Sequence, residues 1–244
     1  IPAELKGGFC GGRIQAVDLM YRLDDGAFSV GPVSWSGTLQ ASEIAPSRNR
    51  WTIKATGGSR PPGDIEVWTN AEATDGEVIV KAKRLERNVK SDVLVASGDV
   101  RYFSADADLL CTKATVYRRE KRAVLEGQVS MYVKPEESRK LEVTELAPLR
   151  PIVPESVAAG RPAPPLTDDD RKLDDEVRSA SNRRKYPMTI ACSKVQYWYA
   201  RGSRRAIATG SPQARQDLPG GRWRQTWANQ ALYDREKESL RLES

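Results

Sequence analysis

One offset pattern runs through this chain and limits what it can fold into: a tyrosine, then alanine six positions on, glycine at ten and valine at twelve. Tyr117 is followed in this way by Ala123, Gly127 and Val129, and Tyr21 by Ala27, Gly31 and Val33. The segment from Tyr233 keeps the first half with Ser239 replacing the alanine, and around Ala206 and Gly210 the alanine-to-glycine spacing of four survives while Tyr199 lies one residue further back. Gly98-Asp99-Val100 supplies another glycine-polar-valine step, 29 residues before Gly127-Gln128-Val129. The preceding strand recurs as well, as Cys111-Thr112-Lys113 and Cys192-Ser193-Lys194. Repeats of this length are supersecondary units that bury their apolar faces by stacking on their neighbours.

Each unit reads as two strands joined by a polar turn. Ala123, Leu125, Gly127, Val129, Met131 and Val133 alternate with Glu126, Gln128, Ser130 and Tyr132, which is the period of a β-strand. Leu94, Ala96, Gly98, Val100 and Tyr102 repeat it, with Leu110, Thr112, Ala114 and Val116 expected on the inward face of the paired strand. The connection Arg118 to Arg122 is charged throughout and Asp24-Asp25-Gly26 carries turn chemistry. Shorter strand signals lie at Ile14 to Tyr21, Trp51 to Thr56, Ile65 to Trp68, Val78 to Leu85, Thr189 to Tyr199 and Trp223 to Tyr233. A glycine in mid-strand costs entropy and packing, so its recurrence at one register needs a reason. One is a bulge that bends every strand at the same height; the other is close packing of two sheets over the glycine.

Between residues 144 and 187 the alternation stops. That stretch holds seven prolines, an acidic cluster Asp168-Asp169-Asp170 and a basic cluster Arg183-Arg184-Lys185. A loop this long reads as a disordered insertion with one helical turn near Arg171 to Arg178, between β-repeats at 1–143 and their continuation at 188–244. A linker between two separate domains is the competing organisation.

Composition removes several functions. The chain has no histidine, which excludes histidine-based acid–base catalysis, Ser-His-Asp triads and histidine metal sites. Its three cysteines, Cys10, Cys111 and Cys192, show no Cys-x-x-Cys spacing and read as isolated thiols. Carboxylates such as Asp24-Asp25 fall in turns, so no residue takes a catalytic role and no metal or cofactor is implied. Hydrophobic residues are 39% and charged residues 30% of the chain, which favours a thin or hollow protein over a thick globule. A net charge of +6 favours anionic partners, or else sits on solvated faces. No stretch approaches the ~20 apolar residues of a membrane helix, and a start at Ile1 suggests a processed or truncated beginning from which a signal or anchor is missing.

The Tyr-x5-Ala-x3-Gly-x-Val unit resembles the OstA-like repeat of the LptA-type lipopolysaccharide-transport family. Residues 78 to 133 carry the likeness best, with weaker matches at 12 to 40 and 188 to 244. The sequence departs from the family where Pro32, Asp99, Gln128 or Ser211 follows the repeat glycine in place of the usual Asn, and residues 41 to 75 fit the pattern poorly. The resemblance implies an all-β, open, twisted β-jellyroll whose inner face holds acyl chains. It implies a periplasmic lipid-binding bridge or carrier that moves lipopolysaccharide or another acylated glycolipid towards the outer membrane. Its partners would be other β-jellyroll proteins of that pathway or copies of itself, paired head to tail through terminal strands.

On that reading the lipid-binding groove is lined by Val33, Trp35, Leu94, Val100, Ala114, Val116, Leu125, Val129 and Met131, with dry core packing as the alternative for each. A structural β-repeat protein that assembles through exposed edges without lipid is the second function. A nucleic-acid platform, built from Arg201, Arg204, Arg205, Arg215, Arg222 and Arg224 with Trp198, Trp223 and Trp227, is set aside because those tryptophans lie in strand-like stretches of a repeat.

Overall fold

In a computed structural model the described residues are 13–38, 50–143, 167–172 and 185–243, apart from positions 17, 26, 139, 170, 235 and 238. They form one large antiparallel sheet that runs as a meander. β1 (Arg13–Ala16) and β2 (Leu19–Tyr21) lie end to end at one edge, pairing with β4 (Val33–Thr38) and β3 (Phe28–Val30). β5 (Arg50–Ala55) and β6 (Gly57–Arg60) follow, and both pair with the single long strand β7 (Ile65–Thr74). Five further long strands continue in sequence: β8 (Val78–Asn88), β9 (Val93–Ser104), β10 (Ala107–Tyr117), β11 (Arg122–Val133) and β12 (Met188–Trp198). The far edge splits again. β13 (Arg205–Thr209) and β14 (Gln213–Asp217) both pair with β12, β15 (Trp223–Trp227) pairs with β14, and β16 (Gln230–Asp234) joins β13 to β17 (Ser239–Glu243).

Because β11 and β12 pair from Arg122↔Trp198 to Val133↔Met188, residues 144–187 are an insertion within one sheet and not a linker between two sheets. Residues 168, 169, 171 and 172 carry a helical turn, with the Arg171 amide donating to the Thr167 carbonyl at 3.0 Å. The rest of the expected disordered stretch, 144–166 and 173–184, lies outside the described residues, as does Cys10.

The recurring glycine sits at the line where the strands break or slip. Gly98-Asp99, Gly127-Gln128 and Gly210-Ser211 take nearly the same left-handed pair of conformations, with φ of 74° and 51°, 78° and 49°, and 77° and 54°. Register slips between Lys81 and Arg84, Cys111 and Lys113, and Glu126 and Val129 mark the extra residue. That is a bulge, and it bends the strand and increases its twist. What fills the space over these glycines is a side chain from the neighbouring strand, not a second sheet. A Cβ on Gly127 would meet Thr112, one on Gly210 would meet Ser193, and one on Gly98 would meet Lys83. The Thr112 and Ser193 hydroxyls donate to the Gly127 and Gly210 carbonyls at 3.0 and 3.3 Å.

Two departures from the repeat are explained by this geometry. Pro32 holds φ near −65°, so the first unit cannot form the left-handed pair, and β3 and β4 are separate strands there. Residues 50–74, which fit the pattern poorly, belong to the same meander and substitute Thr69-Asn70 at the bend. Asn70 is left-handed at φ 45°, and the Thr56 hydroxyl donates to the Thr69 carbonyl at 3.2 Å.

One expected phase is corrected. Leu110 and Thr112 do not share the inward face with Ala114 and Val116, because β10 steps from Cys111 to Ala114 across the bend and leaves Thr112 and Lys113 exposed. Leu109 and Cys111 take the inward places instead. Such a three-residue step changes the parity of the strand, so alternation read straight through it goes out of phase.

Candidate functional site

Tracing the register across the sheet gives one continuous apolar row just below the bend. It runs Leu19, Val30, Gly58, Trp68, Leu85, Ala96, Ala114, Leu125, Val195, Ala208, Ala231, Leu242 over twelve strands. Residues directly opposite in neighbouring strands point to the same face, so this is a ladder of side chains. Glycine and alanine fill several of its rungs and keep the face shallow. A second row above the bend passes through Trp35, Ile53, Ala73, Val80, Tyr102, Leu109, Met131, Ile190 and Ala214. The central parts of the two rows and the residues between them fall in two core clusters, one around Val30, Val33, Ile53 and Trp68, the other around Val100, Cys111, Val129 and Val195.

The register places all nine groove candidates on this one face. Ala114 and Leu125 stand in the lower row, Met131 in the upper, and Trp35 is placed by its backbone opposite Ile53. Leu94 and Val116 pair with each other one step further from the bend. Val33, Val100 and Val129 form the waist. Val100 and Val129 are 1% and 2% exposed, so the waist is dry and filled by the protein's own side chains. Leu94, Ala114, Val116, Leu125 and Met131 flank it half-buried. Towards the C-terminal edge the same face opens: Tyr233, Leu240 and Leu242 continue the rows, with Leu240 61% exposed.

Cys111 and Cys192 flank Val129 at the waist as free thiols. Burial pushes both up to about 11, which leaves them protonated and unreactive at neutral pH.

Three charged groups on the same face were not singled out from the sequence. Glu66 stands between Arg60 and Arg87, with each guanidinium 3.9 Å from a carboxylate oxygen, in a row that continues through Leu94 and Val116. Their phase could have found them: Glu66 is two residues before Trp68 and Arg87 two after Leu85. Burial raises the Glu66 carboxyl above the ordinary range, against the smaller opposing pull of Arg87 and Arg60. A raised carboxyl binds its proton more tightly in the folded chain than in the unfolded one. Its contribution is therefore full below the ordinary carboxylate range and is lost as pH rises through the raised value. The stability of the wild type relative to Glu66→Gln is expected to fall as pH rises above about 4, as read by urea unfolding at stepped pH. A rise over that range would mean that the guanidiniums outweigh burial.

The opposite face carries ion pairs between strands, for example Lys81–Glu72 at 2.9 Å and Lys194–Glu126 at 3.0 Å, beside the buried apolar side chains of Val67, Phe103, Leu110 and Val124. A cleft of about 470 Å³ on that side is lined by Asn70, Ala71, Glu72, Lys81, Ala82, Lys83, Asp99, Arg101 and Val143, so the chain leaving β11 returns across this face. Lys134 pins that return. Its buried ammonium lies 2.8 Å from Asp108 Oδ1 and donates to the carbonyls of Ser104 and Lys140, both at 3.0 Å.

No protein-family model and no curated protein matches the chain. Among the described residues no helix is long and apolar enough to cross a membrane.

Proposed function

We propose that the chain is an OstA-like, LptA-type lipid-holding protein, which carries lipopolysaccharide or a related acylated glycolipid along the apolar face of a bent, jellyroll-like sheet. The observation that supports this reading is the unbroken ladder of apolar residues across twelve strands. At the ~4.8 Å spacing of strands such a ladder is about 50 Å long, and each methylene laid on it gains roughly 0.8 kcal/mol. Acyl chains would lie on the half-buried flanks beside the waist and enter from the C-terminal edge, where Leu240 and Leu242 are exposed. The edge strands β1 and β2 at one end and β15 and β17 at the other present strand backbones suited to end-to-end pairing with another sheet of the same kind, and a periplasmic bridge is the setting that fits this use.

The filled waist favours a second reading, a structural β-repeat protein whose interior is occupied by its own side chains. Lipid extraction of the purified protein followed by mass spectrometry separates the two. Co-purifying acylated glycolipid, or uptake of added lipid A by stripped protein, is the expected result. Protein that carries none and takes up none would leave the scaffold.

A further inference from the structure

Part of the cationic surplus gathers in the middle of one rim of the sheet. Successive hairpin turns fall alternately on the two rims of the meander, and the turns at 89–92, 118–121 and 199–204 share one rim. These three central turns hold Lys90, Arg118, Arg119, Lys121, Arg201 and Arg204 with Asp92 and Glu120, Arg204 being paired at 3.0 Å with Glu236 of the next turn, while Asp24, Asp25 and Asp64 belong to the outer turns of the same rim. The intervening turns at 75–77 and 105–106 lie on the other rim and hold Asp75, Glu77 and Asp106 with no cation.

Hydrogen bonds weld the three basic turns together. Arg118 donates its amide to the Asp92 carbonyl at 3.4 Å and its guanidinium to the buried Asp92 carboxylate at 2.9 Å. Arg119 donates to the Lys90 carbonyl at 2.7 Å, and the Tyr199 amide donates to the Lys121 carbonyl at 2.9 Å. These bonds use Arg118 as a brace and leave Lys90, Arg119, Lys121 and Arg201 exposed. Alternate strands lie ~10 Å apart, a little beyond the ~8 Å Debye length at physiological ionic strength, so neighbouring turns repel one another only weakly and each can meet its own lipid phosphate.

We propose that this rim docks on an anionic lipid membrane surface. A row of cations held at one level by a rigid sheet edge matches a planar array of phosphates. A single-stranded nucleic acid would need aromatic faces for base stacking, and here guanidiniums occupy them: Arg122 lies 4.2 Å over the Tyr117 ring and Arg205 lies 4.5 Å over Trp198. The docking does not depend on lipid in the groove, so it stands or falls separately from the carrier reading.

Co-sedimentation of the lipid-stripped full chain with phosphatidylglycerol–phosphatidylcholine vesicles tests it, with pure phosphatidylcholine vesicles alongside. The protein is expected to bind the mixed vesicles and not the neutral ones. The triple variant Lys90→Ala, Lys121→Ala, Arg201→Ala is expected to lose about 100-fold in partitioning. The triple variant Lys54→Ala, Lys83→Ala, Lys113→Ala removes the same charge from exposed positions off this rim and is expected to lose less than about 3-fold. Equal losses in the two variants, equal binding to neutral vesicles, no binding by the wild type, or tighter binding to a single-stranded oligonucleotide than to the mixed vesicles would each overturn the proposal.

Discussion

Lys134→Met is expected to destabilise the fold by about 3–5 kcal/mol, the usual cost of leaving one member of a buried ion pair without the other. Asp108 is fully buried and pairs in register with Phe103, which is fully buried too, so water cannot take over from the ammonium. The same replacement also removes the two carbonyl contacts that hold the returning chain against the β9–β10 turn. Combining it with Asp108→Leu should recover much of the loss, because a pair of apolar residues carries no desolvation penalty. Denaturant unfolding measures both variants. A loss under about 1 kcal/mol for the single replacement would show that the pair is solvated in solution.

Gly127→Val is expected to cost about 2–5 kcal/mol. A left-handed conformation is costly for any residue with a Cβ and more so for a branched one, and at Gly127 the added Cβ would also stand 2.5 Å from the Thr112 hydroxyl oxygen. Relief of that clash means moving Thr112 and giving up its bond to the Gly127 carbonyl, which opens the bulge. Gly202 supplies the comparison, since its φ is +81° with nothing within 4 Å of a built Cβ. Gly202→Ala should therefore cost only the conformational part, about 1–2 kcal/mol. Similar losses from the two changes would mean that the crowding at the bend is unimportant.

The sequence made the strands of the repeat legible because alternation is a local property. In β9 and β11 the residues Leu94, Ala96, Val100, Leu125, Val129 and Met131 have the spacing that the sheet uses. In β10 the alternation through Leu110 and Thr112 does not show the inward face, because the parity change there is imposed from outside, by the extra residue at Gly127-Gln128 on the next strand. Lys134 was not singled out, since its partners Asp108 and Ser104 are 26 and 30 residues away and come together only through the meander. The filling of the waist was equally hidden. Val100 and Val129 read as lining, and whether lining faces a void or other side chains depends on how sharply the sheet bends.

The carrier reading is tested most directly by photo-crosslinking from single positions of the full chain in the presence of lipid A. Leu125 and Met131 are the reporting sites and exposed Lys113, on the opposite face, is the reference. Lipid attached at Leu125 and Met131 but not at Lys113 is the predicted result. Equal labelling at all three, or none at Leu125 and Met131 while the protein remains folded, would contradict it.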